Sequence, residues 1–172
     1  MGILPNWFTG GAAVRRLYFA VRSLALEADA HLLEYGFADE SGAVTLEITA
    51  RSPGPVAAML QVRSVGSCSA MSAEALDRLA APLCRGRRLV AFHRVLQAGL
   101  LPPASTQAAA GFDCAWRRYR EGARRRGLTG AAAGALDLAE CLAIAGLAPL
   151  AGDSAGARAQ AVRALWLWLD AR

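Results

Sequence analysis

Apolar and aromatic side chains crowd the stretch Leu17 to Leu24, with polar positions at both ends. That is the pattern of a buried central strand. Leu32 to Asp39 is a second strand candidate, and Asp39-Glu40-Ser41-Gly42 supplies the turn residues of a hairpin. Ala43 to Arg51 alternates apolar with polar residues, as a half-exposed strand does. Short turns join the three, so the pattern predicts an antiparallel meander.

Ser52-Pro-Gly-Pro breaks the alternation, and Val56 to Ser69 fits neither period cleanly. Ser72 then offers an N-cap for a helix from Ala73 towards Leu83, with Leu76, Leu79, Ala80 and Leu83 on one face. Pro82 is expected to fray or kink its last turn, and Gly86 closes it. Arg88 to Phe92 reads as a short buried strand. Arg94 to Leu101 reads as a helix stopped by Pro102-Pro103. Ala104 to Gly111 reads as a loop, and Phe112 to Arg126 as a long basic helix. Further helices are predicted from Gly134 to Ala145 and from Ser154 to Ala171. In the last, Ala161, Leu165 and Trp168 share a stripe, with Trp166 and Leu169 beside it. Strands first, then strand–helix alternation, predict an α/β layer structure with a mixed sheet.

Length agrees with that picture. A chain of 172 residues suits one domain, and one of this size buries a core without disulfides or metal. Residues 1–14 read as a lead-in and residues 15–172 as the domain. Within the lead-in, Ile3, Leu4, Trp7 and Phe8 suit a short amphipathic turn. Hydrophobic residues are 55% of the chain and charged ones 19%, against a disordered segment. The N-terminus has no basic leader ahead of an apolar core, and no window suits a membrane span. The expectation is a cytoplasmic protein with no membrane contact.

The net charge is +5, and all 19 basic residues other than histidine are Arg. With so much Ala and Gly, that bias most simply reflects a GC-rich genome. The charge permits nucleic-acid binding without demanding it. Cys68, Cys84, Cys114 and Cys141 have neither CxxC nor zinc-finger spacing, which suggests buried thiols.

Five stretches carry a resemblance to a known family. Tyr18-Phe-Ala-Val-Arg-Ser-Leu-Ala-Leu26 resembles a first-strand motif of the form apolar-apolar-Asp-x-Glu-Thr-Thr-Gly-Leu. Leu32-Leu-Glu-Tyr-Gly-Phe37 resembles a second strand of the form Ile-x-Glu-Ile/Tyr-Gly-apolar. Gly86-Arg-Arg-Leu-Val-Ala-Phe-His-Arg-Val-Leu-Gln97 resembles Gly-x-x-Leu-Val-Ala-His-Asn-x-x-Phe-Asp. Ala135 to Gly146 resembles a Ser-Leu-x-x-Leu-Ala helix. Gly152 to Gln160 resembles a final Ala-His-x-Ala-x-x-Asp-Ala motif. These are motifs of the DnaQ-like 3′–5′ exonucleases of the DEDDh, proofreading-subunit type. The resemblance implies a ribonuclease H-like fold, with a mixed five-stranded sheet that starts with three antiparallel strands and is flanked by helices.

The same resemblance implies degenerate chemistry. The family holds two Mg²⁺ or Mn²⁺ ions about 4 Å apart on four carboxylates, and a histidine serves as general base. Here the two first-strand acids correspond to Ala20 and Arg22. The third corresponds to Gln97, the histidine to Asp153 and the last acid to Arg158. The guanidinium stays protonated and repels cations. No metal cofactor is therefore expected. A shifted alignment that sets Phe112-Asp113 on the third motif would recover one acid. Arg22 and Arg158 are expected to face each other, either paired with Asp153 or Glu34 or binding a phosphate without cutting it.

Other candidates have ordinary readings beside functional ones. His93 and Arg94 fall where the family binds substrate, though a lone His is more often structural. His31 reads as a surface-loop residue. Trp116 to Arg126 interleaves aromatics with arginines, compatible with phosphate contact and base stacking. It equally suits a helix with Trp116, Tyr119 and Ala123 inward and arginines in water. Ser23, Ser67 and Ser69 form no recognisable nucleophile arrangement, and no phosphate-binding loop is present. The resemblance implies a catalytically inactive exonuclease-fold protein, acting as a nucleic-acid-binding or protein-interaction module. Its expected partners are single-stranded nucleic acid, another protein or a second copy. The alternatives are an active exonuclease with atypical ligands and a regulatory scaffold that does not touch nucleic acid.

Overall fold

A computed structural model describes residues 15–27, 30–52, 71–125 and 137–171. Side chains of residues 23–31, 51 and 52 lie outside that description, as do the expected lead-in turn, Val56 to Ser69 and Cys68. Strands β1 (Arg16–Glu27), β2 (Ala30–Ala38) and β3 (Val44–Ser52) form the expected meander. Helix α1 (Ala73–Cys84) leads into β4 (Arg88–Ala91). Helices α2 (Arg94–Ala98) and α3 (Pro103–Ala108) precede β5 (Gly111–Cys114). Helices α4 (Ala115–Arg125), α5 (Leu138–Ile144) and α6 (Ala155–Asp170) complete the order.

The five strands form one mixed sheet in the order β3-β2-β1-β4-β5. β1 pairs antiparallel with β2 and parallel with β4, and β4 pairs parallel with β5. The protein is thus α/β, with helices on both sides of the sheet. Strand alternation sorts the core. Leu17, Phe19 and Val21 join Leu33, Tyr35 and Phe37 against Leu76, Ala80 and Cys84 of α1. On the other face Tyr18 and Val90 pack with Tyr119 of α4, Leu142 of α5 and Leu165 and Trp166 of α6.

The hairpin turn closes as its residues predict. Asp39 Oδ1 accepts from the Ser41 hydroxyl at 2.6 Å and from the Ser41 N–H at 2.8 Å. Gly42 takes the φ of +93° that the turn needs. Helix α6 clasps this hairpin from above. Gln160 Nε2 donates to the Gly42 carbonyl and Arg163 Nε to the Glu40 carbonyl, both at 2.8 Å.

Several expectations change. Ala104 to Gly111 is not a loop: most of it belongs to α3. Pro103 sits at the first helical turn, where a missing N–H costs nothing. Asp77 of α1 supplies the cap, accepting from the N–H groups of Ala104 at 2.9 Å and Ser105 at 2.7 Å. Phe112 to Cys114 belong to β5, so the basic helix starts at Ala115. The helix after β4 ends at Ala98, short of Leu101. His31 lies in β2, opposite Leu26, and not in a loop. Leu79 is 46% exposed, and Cys84 takes its place on the buried face of α1. Pro82 is carried within α1, which continues through Cys84.

Candidate functional site

The site grows from one face of β1. Tyr18, Ala20 and Arg22 alternate onto the side covered by α6. Ala20 stands opposite Gly36 and Arg22 opposite Glu34, while Gly36 stands opposite Glu47 of β3. The small pair leaves a hollow over the sheet, which the start of α6 fills. A Cβ on Gly36 would lie 2.1 Å from the Ala155 carbonyl carbon. Ala20 itself is buried with Ala38 and Ala159.

The first N–H groups of a helix lack partners within it and carry its positive end. Here the sheet provides acceptors. The Ala155 N–H donates to Glu34 Oε2 at 3.0 Å and the Gly156 N–H to Glu47 Oε1 at 3.3 Å. The Ala157 N–H donates to the Ser154 hydroxyl at 3.1 Å. Two glutamates from adjacent strands and one N-cap serine therefore occupy this helix end.

Arg22 extends the arrangement into a chain of charges. Its Nε lies 2.7 Å from Glu34 Oε2, close enough for an ion pair but not aligned as a hydrogen bond. Its Nη1 lies 2.8 Å from Asp153 Oδ2. Arg158 Nη2 donates to the other oxygen of Asp153, also at 2.8 Å. Arg22 and Arg158 thus meet on one carboxylate, which is the paired one of the two arrangements open to them. The Arg158 hydrogen bond, followed by that of Arg22, pulls the Asp153 carboxyl down to about 2. Two guanidiniums and two carboxylates leave this chain without net charge.

A cleft of about 150 Å³ lies beside it, bordered by Ala20, His93, Gln97, Asp137, Arg158 and Val162. Four of the seven sequence candidates therefore converge. Within it, Gln97 Oε1 and Arg158 Nε are buried without a hydrogen-bond partner. Arg22 and Asp153 connect to the cleft through Arg158. Arg94 faces a different groove, and its Nη1 donates to the Phe112 carbonyl at 3.4 Å. His93 precedes α2, with its ring centroid 4.6 Å from Phe92 and 5.2 Å from Trp116.

Asp137 and Glu47 are additions that the sequence reading lacks. Asp137 caps α5, its Oδ1 accepting from the Glu140 N–H at 2.7 Å. An Asp three residues ahead of a Glu and beside an apolar run is a legible helix start. Glu47 has no such local signal, because its partner N–H comes from the far end of the chain. Asp113, the acid a shifted alignment would recover, is held elsewhere. Arg88 grips it through Nε at 2.8 Å and Nη2 at 2.7 Å, and it does not border the cleft.

The donor set does not fit a pair of hard divalent cations, which need several oxygen ligands. Ala20 has no donor atom, and Arg22 and Arg158 bring permanent positive charge. Glu34 and Asp153 are already engaged by guanidiniums, and Glu34 by the helix as well. Among the described residues, no group of three or more His, Cys, Asp or Glu is arranged to hold a metal.

The basic helix α4 behaves mostly as an amphipathic element. Tyr119 and Ala123 are buried. Arg118 pairs with Asp170 and lies over the Trp166 ring at 4.3 Å, and Arg120 lies over Trp116 at 4.9 Å. Among the described residues, no helix is long and apolar enough to cross a membrane. Compared with protein-family models, with curated proteins and with solved structures, the chain matches none.

Proposed function

We propose that this is a DnaQ-like exonuclease-fold domain of ribonuclease H-like architecture that works by binding and not by cutting. Support for the fold comes from the strand order β3-β2-β1-β4-β5, with its antiparallel start and parallel β4 and β5. Support for the loss of nuclease chemistry comes from one observation. Arg22 stands opposite Glu34 at a motif position for a catalytic acid and bridges Glu34 to Asp153. A cation there would meet a guanidinium instead of a ligand.

The test is an assay of the purified chain on a labelled single strand with Mg²⁺ or Mn²⁺. No cleavage is expected. Cleavage that a chelator abolishes, and that survives repurification, would restore the reading of an active exonuclease with atypical ligands.

Within this reading the bound partner is a nucleic acid or another protein, and the arginines of α4 favour the nucleic acid. Arg117, Arg124 and Arg125 are exposed on that helix. Affinity for an oligonucleotide that falls steeply with salt, and falls further in Arg124→Ala/Arg125→Ala, would support that reading.

A further inference from the structure

A groove of about 630 Å³ runs beside α2 towards the start of α4. Its aliphatic wall is Leu96 and Leu100, with Val95 at the edge. Val95 is 82% exposed and Leu96 38% exposed. Single exposed apolar residues are ordinary, but adjoining ones that open onto an apolar trough mark a contact surface. The groove is also one-sided in charge. Arg94 and Arg117 border it, and none of its described lining residues is acidic. Arg117 has an ion pair with Glu121 at 3.7 Å, but both side chains are exposed, so that contact is worth little and is easily exchanged.

We infer that this groove receives an amphipathic helical segment of a partner protein, one that presents aliphatic side chains flanked by Asp or Glu. The aliphatic wall suits the i, i+3, i+4, i+7 anchors of a helix laid into a groove. The arginines match carboxylates beside those anchors and set the charge of the partner. A nucleic-acid strand fits less well. Binding of single strands relies on aromatic platforms, and the aromatic ring here, Trp116, already has the Arg120 guanidinium over it and the His93 ring against it. The inference rests on the chain being an interaction module, but it fails separately. Cleavage of a single strand would overturn the non-catalytic reading, whereas the groove is tested by peptide binding alone.

The probe is a fluorescein-labelled helical peptide with Leu at i, i+3, i+4 and i+7 and Glu at the flanking positions. A matched peptide carries Lys in place of Glu. Titration of the full chain should show saturable binding of the Glu peptide and at least about tenfold weaker binding of the Lys peptide, a difference of about 1.4 kcal/mol. Val95→Asp and Arg117→Glu alter exposed side chains, so circular dichroism should stay unchanged while Glu-peptide affinity falls about tenfold or more in each. Absence of binding, or binding indifferent to both substitutions, overturns the inference. So does displacement of the peptide by oligo(dT). Self-association of the chain that Val95→Asp abolishes would make a second copy the occupant and likewise overturn it.

Discussion

Arg22 Nη1 and Asp153 Oδ2 lie 2.8 Å apart, tying the middle of β1 to the residue before the N-cap of α6. The two partners are unequal. The Arg22 side chain is 24% exposed and that of Glu34 16%, whereas Asp153 is 63% exposed. Arg22→Met leaves Glu34 half-partnered in a largely dry place and should cost about 2 kcal/mol, between exposed and buried ion pairs. Asp153→Asn should cost less than about 1 kcal/mol. Urea unfolding of both variants gives the comparison, and equal losses would refute the difference argued from burial.

Acid should remove the Asp153 contribution late. Its carboxyl is held below the ordinary value of 3.8, at about 2. A depressed carboxyl contributes stability that is complete above its unfolded value and fades as pH falls through the folded one. The stability difference between the parent and Asp153→Asn should therefore stay constant from pH 8 to 5 and shrink between pH 4 and 2. A difference that already shrinks near pH 6 would mean that another group titrates.

Gly36→Ala should be among the costlier substitutions in the sheet. The new Cβ would fall 2.1 Å from the Ala155 carbonyl carbon and 2.3 Å from the Gly156 nitrogen, and both are backbone. Neither can move without lifting α6, so a loss of about 3 kcal/mol or more is expected. Gly156→Ala meets Glu47 Oε2 at 2.5 Å, the end of a side chain that can swing aside by giving up its long bond to the Gly156 N–H. It should cost about 1 kcal/mol. Thermal melts of the two variants should rank them in that order.

Tyr35 donates its buried hydroxyl to the Leu100 carbonyl at 2.9 Å, and burial pushes the phenol upward. Tyr35→Phe leaves that carbonyl without its partner and should cost about 1–2 kcal/mol. The same substitution should remove one phenol that titrates above the ordinary tyrosine range from a spectrophotometric titration of the chain.

Thiol labelling should separate the cysteines. Burial, followed by nearby acids, raises Cys84 to about 11 and Cys141 to about 12. Both should resist a disulfide reagent at pH 8 until the chain unfolds, because the thiolate is the reactive form. Raised thiols also make the fold less stable in base, with the loss beginning above the ordinary value of 9. Rapid labelling of either residue in the native chain would contradict its position in the core.

The meander, the cap at Ser72 and the last helix were legible because each has a local cause. Alternation, turn residues and an N-cap serine act over a few positions. Helix α3 was not legible, because its cap is Asp77, 27 and 28 positions away from the N–H groups it accepts. β5 was hidden for a related reason. It is four residues long and continues directly into α4, so its apolar residues merge with a helical period. At the site, pairing with Asp153 was one of the arrangements open to Arg22 and Arg158, because a flexible guanidinium can reach several acids and only the fold selects one. Glu47 was not legible, since nothing local in Thr45-Leu-Glu-Ile48 marks one alternating polar residue as the cap of a remote helix. Asp137 was readable and was overlooked, because the predicted helix began at Gly134, four residues before Leu138.

The clasp of α6 on the hairpin also has a temporal side. The Glu34 contact with Ala155 spans 121 positions and the Arg163 contact with Glu40 spans 123. At a synthesis rate of about 5–20 residues per second, roughly 6–24 seconds separate the two ends of such a contact on the ribosome. During that interval the face bearing Ala20 and Gly36 has no cover, and Glu34 and Glu47 have no helix to cap. The nascent meander is a half-built layer whose closing piece is still to be translated. The open face exists only in that window, and it vanishes once Ala155 settles on Gly36.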